Sequence, residues 1–289
     1  MRGGHIVFDM ATELRMYREA PRRARRCTFL MCPSEHFDVV YSINPWMDPA
    51  IPVDRARALR QWEGIVEVYR ALGHEVRLMD PVAGLPDMVF AANSGFSLSG
   101  RVLTARFRHP ERRPEERWHR EWFEREGLPT TTALRINEGE GDFALVDSTL
   151  LAGYGIRTEH AALREARDLF ERPIVGLRLV DPRFYHLDTA LLPLDDDVAY
   201  YPPAFSPRSR RRIERLFPHA LAVDERDAAV LGLNAMCDGY HVVLPAQADG
   251  LAARLRARGY EPVPVDLSEL LKAGGSAKCC SFELRRGEP

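Results

Sequence analysis

The chain has 289 residues, of which 45% are hydrophobic and 28% are charged, and its formal net charge is −2. This composition is typical of a globular protein, and a nearly neutral chain has no net field that favours nucleic acid or an anionic membrane. The five cysteines form no CxxC pair, so the sequence predicts neither a disulfide framework nor a zinc ribbon. We therefore expect a cytoplasmic protein with no nucleic-acid partner and no membrane partner.

The first residues are rich in arginine and lack the apolar core of a secretory signal. We interpret residues 1–26 as a basic, solvated N-terminal extension and residues 27–289 as a single domain. The apolar runs are shorter than the roughly 20 residues that a bilayer-spanning helix needs.

Beyond residue 26 the apolar pattern alternates between short strands and amphipathic helices. Strands are predicted over residues 27–32, 76–79, 88–90, 102–107, 143–146, 150–152, 175–179, 187–192, 198–201, 220–223, 241–244 and 263–265. Helices are predicted over residues 53–72, 117–126, 159–170, 206–216 and 246–258. A strand, strand, helix, strand unit thus recurs about five times, every ~50–60 residues, which predicts an α/β domain of repeated units. Residues 108–117 are polar, and we interpret them as a surface loop or lid.

The stretch from 271 to 282 carries the first catalytic signal. Gly274 and Gly275 follow a helix-like segment and precede Cys279 and a strand-like run. Glycines allow positive φ and close approach of the backbone, which places Cys279 on a turn facing a cleft. Such a cysteine, paired with a distant histidine, is a candidate nucleophile.

Histidine, acidic, amide and arginine residues elsewhere in the chain are candidates for the same site as Cys279. His186 and Asp188 alternate in a predicted strand, so their side chains share one face. Three acids between glycines follow Asn137, and Asp87 and Asn93 lie on another predicted strand and the turn after it. Acids near a cysteine raise its pKa, so they make sense if the substrate is a cation such as a guanidinium. Arginines at the rim match a substrate carboxylate, which together describes an amino acid such as arginine.

Six segments in order carry a family resemblance. They are Cys32-Pro33 with Ile43-Asn44-Pro45-Trp46-Met47, Pro86-Asp87-Met88-Val89-Phe90-Ala91-Ala92-Asn93, Glu138-Gly139-Glu140-Gly141-Asp142, Ala152-Gly153-Tyr154-Gly155-Ile156-Arg157-Thr158, Phe184-Tyr185-His186-Leu187-Asp188-Thr189 and Gly274-Gly275-Ser276-Ala277-Lys278-Cys279. From Cys32 to Glu283 the chain resembles the amidinotransferase, or pentein, superfamily. Its pattern is most similar to the arginine dihydrolases, including the dihydrolase domain of cyanobacterial arginine-catabolising enzymes. Dimethylarginine dimethylaminohydrolases and arginine deiminases are more distant relatives.

The resemblance implies a five-bladed α/β propeller of ββαβ units with the active site in its central channel. It makes Cys279 the nucleophile, His186 the general acid/base and Glu138 the partner of the guanidinium and of His186. The remaining implied positions contact the substrate. They are Asn44, Asp87, Asn93, Arg106, Arg157 and Asp188, with the two arginines on the α-carboxylate and Asp87 near the α-amino group. No cofactor and no metal ion are implied, and a homo-oligomer stays open.

Asn93 departs from the pattern, because the deiminases and the dimethylarginine enzymes carry an aspartate there. An amide offers a donor and an acceptor without charge, which suits the ureido group of citrulline as well as a guanidinium. The leading interpretation is therefore arginine dihydrolase, which converts arginine to ornithine, carbon dioxide and ammonia through a covalent thiouronium. The alternatives are dimethylarginine dimethylaminohydrolase, arginine deiminase, an amidinotransferase and a non-catalytic arginine-binding protein.

Overall fold

The computed structural model describes residues 22–285, and their strands form five three-stranded sheets. The strands are β1 (Thr28–Met31), β2 (Glu75–Leu78), β3 (Gly95–Leu98), β4 (Arg101–Thr104), β5 (Thr130–Thr131), β6 (Phe143–Val146), β7 (Thr149–Tyr154), β8 (Ile174–Arg178), β9 (Leu191–Leu194), β10 (Asp197–Tyr200), β11 (Leu221–Ala222), β12 (Met236–Cys237), β13 (His241–Pro245), β14 (Glu261–Val265) and β15 (Phe282–Glu283). The α-helices are α1 (Arg55–Ala71), α2 (Glu115–Arg125), α3 (His160–Phe170), α4 (Leu187–Ala190), α5 (Pro207–Leu216), α6 (Glu225–Ala228) and α7 (Asp249–Arg256).

Every sheet has the same connectivity. Two antiparallel strands are followed by a helix, and the third strand then pairs in parallel with the second. We call the sheets blades 1 to 5, with strand orders β15-β1-β2, β3-β4-β5, β6-β7-β8, β9-β10-β11 and β12-β13-β14. The repeated unit predicted from the apolar pattern is confirmed, and the fold is a five-bladed α/β propeller.

The hydrophobic clusters show that the blades close into a ring. One cluster joins blades 3, 4 and 5, a second joins blade 5 to blade 1, a third joins blades 1 and 2 and a fourth joins blades 2 and 3. Blade 1 combines both ends of the described chain, because Leu30 of β1 pairs with Phe282 of β15. Each blade therefore buries apolar side chains against both neighbours, and the ring depends on this shared burial.

Helix α1 shows how the sequence sets a crossover helix. Asp54 accepts a hydrogen bond from the backbone N–H of Arg57, which caps the first turn. Trp62, Ile65 and Tyr69 recur at helical spacing and are buried against blade 1. The chain leaves the helix through Gly73, whose φ of 86° is readily adopted only by glycine.

The predicted boundary after residue 26 can be compared with the described part of the chain. Residues 1–21 of the predicted extension lie outside the described residues. The guanidinium of Arg22 lies 3.6 Å over the ring of Tyr260, and the backbone N–H of Arg25 donates to the backbone carbonyl of Asp238 at 2.8 Å. The boundary predicted at residue 26 therefore divides a segment that packs on blade 5. Within residues 22–285, no helix combines the length and the apolar character that crossing a bilayer requires.

Candidate active site

Five of the candidate residues lie just before the first antiparallel strand of a blade. Asn93 precedes β3, Glu138 precedes β6, His186 and Asp188 precede β9, and Cys279 precedes β15. Equivalent ends of the five blades meet at the ring axis, so residues far apart in sequence come together there. The structure adds Asn234 before β12, at the corresponding place in blade 5.

The local conformation at two of these places differs from the prediction. The segment with Asp87 and Asn93 forms two 3-10 turns, Pro86–Val89 and Ala91–Ser94, rather than a strand. His186 and Asp188 do not share a strand face, because His186 caps the helix α4 and Asp188 lies in its first turn.

Glu138 holds His186 and Arg157 at one carboxylate oxygen. Its Oε2 lies 2.7 Å from His186 Nε2 and 2.7 Å from a terminal nitrogen of Arg157, and all three side chains are buried. Burial would raise the pKa of Glu138, but the charge of Arg157 and the hydrogen bond with His186 outweigh it and hold that pKa below its usual range. The carboxylate is therefore ionised and fixes the orientation of the imidazole.

Cys279 lies between an acceptor and a donor. Its Sγ is 3.3 Å from Asp188 Oδ2 and 3.1 Å from Asn234 Nδ2. Burial, followed by the charge of Asp188, raises the pKa of the Cys279 thiol well above its usual value. Burial also raises the pKa of Asp188 to about 7, although the charge of Lys278 opposes the rise. The thiol is therefore protonated and donates a hydrogen bond to Asp188.

Asn93 is held in one orientation. Its Oδ1 accepts from Arg112 at 2.8 Å and its Nδ2 donates to the backbone carbonyl of Glu138 at 3.3 Å. A Cβ atom on Gly141 would lie 2.5 Å from Asn93 Nδ2 and 3.0 Å from His186 Nδ1. The absence of a side chain at 141 thus lets the amide and the imidazole approach the same point.

The sequence did not predict Arg112 as a site residue, yet its side chain is buried beside Asn93. It makes two hydrogen bonds with Glu115, at 2.9 Å and 2.7 Å, and lies 3.7 Å from Asp87 Oδ2. Burial raises the pKa of Glu115 to about 7 even though Arg112 opposes the rise. The predicted surface loop over 108–117 therefore sends one of its arginines inward, where it faces Asn93 and Asp87.

Arg106 was expected on the substrate carboxylate, and the structure places it elsewhere. Its side chain is exposed, and a terminal nitrogen donates to the carbonyl of Leu134 at 2.9 Å. Its backbone forms an isolated bridge with Asn137 at the end of β4. The side chain of Arg106 thus faces outward in this structure, whereas that of Arg112 lies beside Asn93.

A loop over residues 41–47 covers the site and uses site residues as its contacts. The hydroxyl of Tyr41 donates to Asp87 Oδ2 at 3.0 Å, and the carbonyl of Ile43 accepts from Arg157 at 2.9 Å. Asn44 donates to the carbonyl of Ala273 at 3.0 Å and accepts from the N–H of Trp46. Asn44 therefore lies at the site, but in this state its amide fixes the loop against the segment before Cys279.

The site retains unpaired polar atoms although it is closed. Among the described residues, Asp87 Oδ1 and His186 Nδ1 are buried without a hydrogen-bond partner. Buried polar atoms without partners are costly, so each of these two atoms is a position at which a bound group could complete the hydrogen bonding. The arrangement thus brings acids, two arginines and a thiol together in one buried cluster.

A comparison of the sequence with family models identifies the group to which the chain belongs. The model described as "N,N dimethylarginine dimethylhydrolase, eukaryotic" matches residues 45–199, more than half of the chain. The N(G),N(G)-dimethylarginine dimethylaminohydrolase of Mycobacterium tuberculosis is 51% identical over 268 residues, 92% of this chain and 88% of that protein. The chain belongs to the dimethylarginine dimethylaminohydrolase family.

Other members of this wider group are arginine dihydrolases. The bifunctional arginine dihydrolase/ornithine cyclodeaminase AgrE of Nostoc sp. is 41% identical over 279 residues, 91% of this chain and 38% of that longer protein. The structure superposes on the N-terminal domain of ArgZ, a cyanobacterial arginine dihydrolase, which was solved as a cysteine-to-serine mutant bound to substrate. The TM-score is 0.87 at 37% sequence identity, and the match covers 90% of this chain and 98% of that domain. The resemblance to the pentein superfamily is confirmed, and the chain is a cysteine hydrolase of the dimethylarginine dimethylaminohydrolase and arginine dihydrolase type, acting on guanidino C–N bonds.

Proposed function

We propose that this family member is an arginine dihydrolase, which consumes arginine and two waters and releases ornithine, carbon dioxide and two ammonia. The observation that carries the proposal is the uncharged, buried Asn93, whose amide is oriented by Arg112. Since Arg112 occupies Oδ1, the Nδ2 lies on the side of Gly141 and His186, where one of its two N–H groups donates to the backbone carbonyl of Glu138 and the other is left for a substrate. A donor there can bind the carbonyl oxygen of a ureido group, which a carboxylate would repel.

The charges of the site match both ends of arginine. Glu138 and Asp188 lie beside His186 and Cys279, where they face the guanidinium. Asp87 has a free buried oxygen for the α-amino group. Arg112 and Arg157 supply positive charge for the α-carboxylate, which would replace the carbonyl of Ile43 on Arg157.

The substrate's own charge activates the nucleophile. In the closed state the Cys279 proton faces Asp188 Oδ2 at 3.3 Å, and Asp188, with its pKa raised to about 7 by burial, is suited to accept it. A guanidinium beside the sulfur stabilises the thiolate and so lowers the thiol pKa, because an opposite charge favours the ionised form.

The first half of the reaction breaks one guanidinium C–N bond. The Cys279 thiolate attacks the central carbon, and His186 gives a proton to the nitrogen that leaves as ammonia. A covalent thiouronium remains. His186 then takes a proton from water, whose oxygen attacks the same carbon, and the C–S bond breaks to give citrulline and the free cysteine.

The second half repeats the cycle on the ureido carbon. With Asn93 donating to the ureido oxygen, the thiolate displaces the second ammonia and forms a thiocarbamate. A second water releases the carbamate of ornithine, which loses carbon dioxide. Each half consumes one water and releases one ammonia, so the two halves sum to the dihydrolase reaction.

Hydrolysis of dimethylarginine to citrulline and dimethylamine is the second candidate. The specific observation in its favour is the 51% identity to a protein named for that activity. In this case the same thiolate attack expels dimethylamine, and the reaction stops at citrulline.

Product analysis separates the two candidates. Arginine, citrulline and dimethylarginine are each incubated with the protein, and the products are identified by mass spectrometry and ammonia release. The dihydrolase predicts ornithine from arginine and from citrulline, with two ammonia per arginine. Citrulline as the end product, or a higher kcat/KM for dimethylarginine than for arginine, contradicts it.

An Asn93→Asp variant tests the step assigned to the amide. It keeps the size and the bond with Arg112 but replaces the donor with an acceptor, so citrulline should accumulate and ornithine formation should fall. Unchanged ornithine yield in a folded variant would remove the argument from Asn93, and Cys279→Ser serves as the inactive control.

A further inference from the structure

Asn234 is a buried residue that the sequence pattern did not single out. Its side chain contacts both the backbone and the sulfur of the segment that carries Cys279. It lies two residues before β12, at the place in blade 5 that corresponds to the catalytic positions in the other blades. Its side chain is completely buried. The equivalent positions in blades 1 to 4 all hold candidate site residues, so a polar side chain here calls for a functional account.

One end of the Asn234 amide holds the nucleophile segment. Its Oδ1 accepts from the backbone N–H of Ser276 at 2.8 Å and from that of Cys279 at 3.1 Å. Its backbone carbonyl accepts from the N–H of Lys278 at 3.2 Å. These three bonds anchor the turn between Gly275 and Cys280, which has no regular secondary structure of its own to fix it.

The other end of the amide reaches the reacting atom. Because two N–H groups occupy Oδ1, the Nδ2 must face the opposite side, and the amide orientation is set by this network. There Nδ2 donates to Cys279 Sγ at 3.1 Å and to the carbonyl of Asp188 at 3.3 Å. A donor to sulfur binds a thiolate more strongly than a thiol, since hydrogen bonds to charged groups are the stronger ones.

We propose that Asn234 is a further catalytic residue, which fixes the segment before Cys279 through Oδ1 and stabilises the Cys279 thiolate through Nδ2. The inference rests on the proposed role of Cys279 as nucleophile and holds for either candidate substrate. Asn234 acts against Asp188, which holds the proton on the sulfur. When that proton leaves, the sulfur keeps one donor that is already in place.

Other groups near the sulfur do not supply this donor. Asp188 acts on the thiol through its negative charge and favours the protonated form. The hydroxyl of Tyr185 donates to the carbonyl of Gly274 at 2.8 Å, and Lys278 directs its ammonium to Glu140. In residues 22–285 the donor recorded on Cys279 Sγ is the Asn234 amide.

The test is the pH dependence of Cys279 alkylation by iodoacetamide, without substrate. The modification is followed by mass spectrometry on the tryptic peptide that begins at Cys279, with fragmentation to separate it from Cys280. Asn234→Asp keeps both acceptor bonds and exchanges the donor for a negatively charged acceptor. Asn234→Ala removes the donor without adding charge. Ser276→Ala is the matched control, because it keeps the backbone N–H that Asn234 binds.

We expect the midpoint of the alkylation profile to rise by one pH unit or more in both Asn234 variants, which slows alkylation at neutral pH about tenfold. Ser276→Ala should keep the wild-type midpoint. A purely structural role predicts that Asn234→Ala, which places no charge beside the sulfur, also keeps it, whereas the new carboxylate of Asn234→Asp raises the midpoint under either role. A wild-type midpoint in folded Asn234→Ala would overturn the proposal.

A measurement on the unmodified protein guards against variants that fail to fold. The side-chain amide resonances of Asn234 should titrate with the same midpoint as Cys279 alkylation, and resonances that do not respond would also overturn the proposal. Since neither experiment uses substrate, a failure here is distinct from a failure of the proposed arginine hydrolysis, which only product analysis detects.

Discussion

Replacing Arg112 with methionine is expected to destabilise the protein and impair substrate binding far more than the same replacement at Arg106. Arg112 is buried and makes four hydrogen bonds, two to Glu115, one to Asn93 and one to the backbone of Asp87. Its removal leaves buried carboxyl groups without their cation, a change that costs about 3–5 kcal/mol. Arg106 is exposed and donates to one surface carbonyl, so its replacement should cost no more than ~0.5 kcal/mol.

Arg112→Lys gives an intermediate case. Lysine keeps the charge but lacks the planar fork that binds Glu115 and Asn93 at the same time. We expect its free energy of unfolding to lie between those of the wild type and Arg112→Met. Because Asn93 then loses its orientation, ornithine formation should fall more than citrulline formation.

Urea unfolding followed by tryptophan fluorescence measures the stability of each variant, and initial rates with arginine measure kcat and KM. For Arg112→Met we expect a lower midpoint and a kcat/KM reduced by about 10²-fold, as for loss of a positioning contact. Arg106→Met should match the wild type in both assays. Equal stabilities of the two methionine variants, or a larger loss of activity at Arg106, would refute the placement of Arg112 in the site.

Three further predictions address the catalytic groups. Cys279→Ser should reduce turnover to background, whereas Cys280→Ser should keep most of it, because the hydrogen bonds to Asp188 and Asn234 are made by the sulfur of Cys279. Ammonia release measures both, and an active Cys279→Ser would contradict the mechanism. Glu138→Gln should lower kcat by about 10²–10⁴-fold, because His186 loses its ionic partner. Glu140→Gln loses a buried ion pairing with Lys278 and Arg285, so it should chiefly lower the midpoint of urea unfolding. Burial raises the pKa of Asp188 to about 7, so its contribution to the free energy of unfolding is complete below its ordinary pKa and is lost as the pH rises through 7. Asp188→Asn should therefore gain stability relative to the wild type over this range, by up to ~1.36 kcal/mol per pH unit. Parallel pH profiles of the two unfolding free energies would exclude this effect.

The repeated unit was predictable because each blade has a recognisable hydrophobic pattern in its own stretch of sequence. An amphipathic helix lies between short apolar strands in every unit, and the burial of Trp62, Ile65 and Tyr69 in α1 follows the predicted spacing. The closed ring was not predictable from that pattern, since it depends on packing between blades and on the pairing of β1 with β15. Only the family resemblance supplied it.

The catalytic segment around His186 shows why a local prediction failed. Residues 187–192 are mostly apolar and were predicted as one strand, but the first four form α4. Asp142, from blade 3, accepts from the N–H of Leu187 at 3.0 Å, and the hydroxyl of Thr189 donates to the carbonyl of His186 at 2.8 Å. A partner from another blade thus sets this turn, and such a contact has no signal in the local sequence.

The two site residues that the sequence did not reveal were hidden for different reasons. Arg112 lies in a run with several other arginines, and nothing local distinguishes the one that turns inward. Asn234 is a single amide in an apolar stretch, which composition does not mark as functional. Its place before the first strand of blade 5 identifies it, but that place becomes visible only once the five units are aligned.

The pairing of β15 with β1 makes catalysis a property of the finished ring. The sulfur of Cys279 lies three residues before β15, whereas its imidazole and carboxylate partners belong to blades 3 and 4. An intermediate in which those blades have packed but the terminal strand has not yet docked holds the acid/base pair without a nucleophile. Such a species cannot attack a guanidino substrate, so we expect hydrolysis to begin only after β15 has paired with β1.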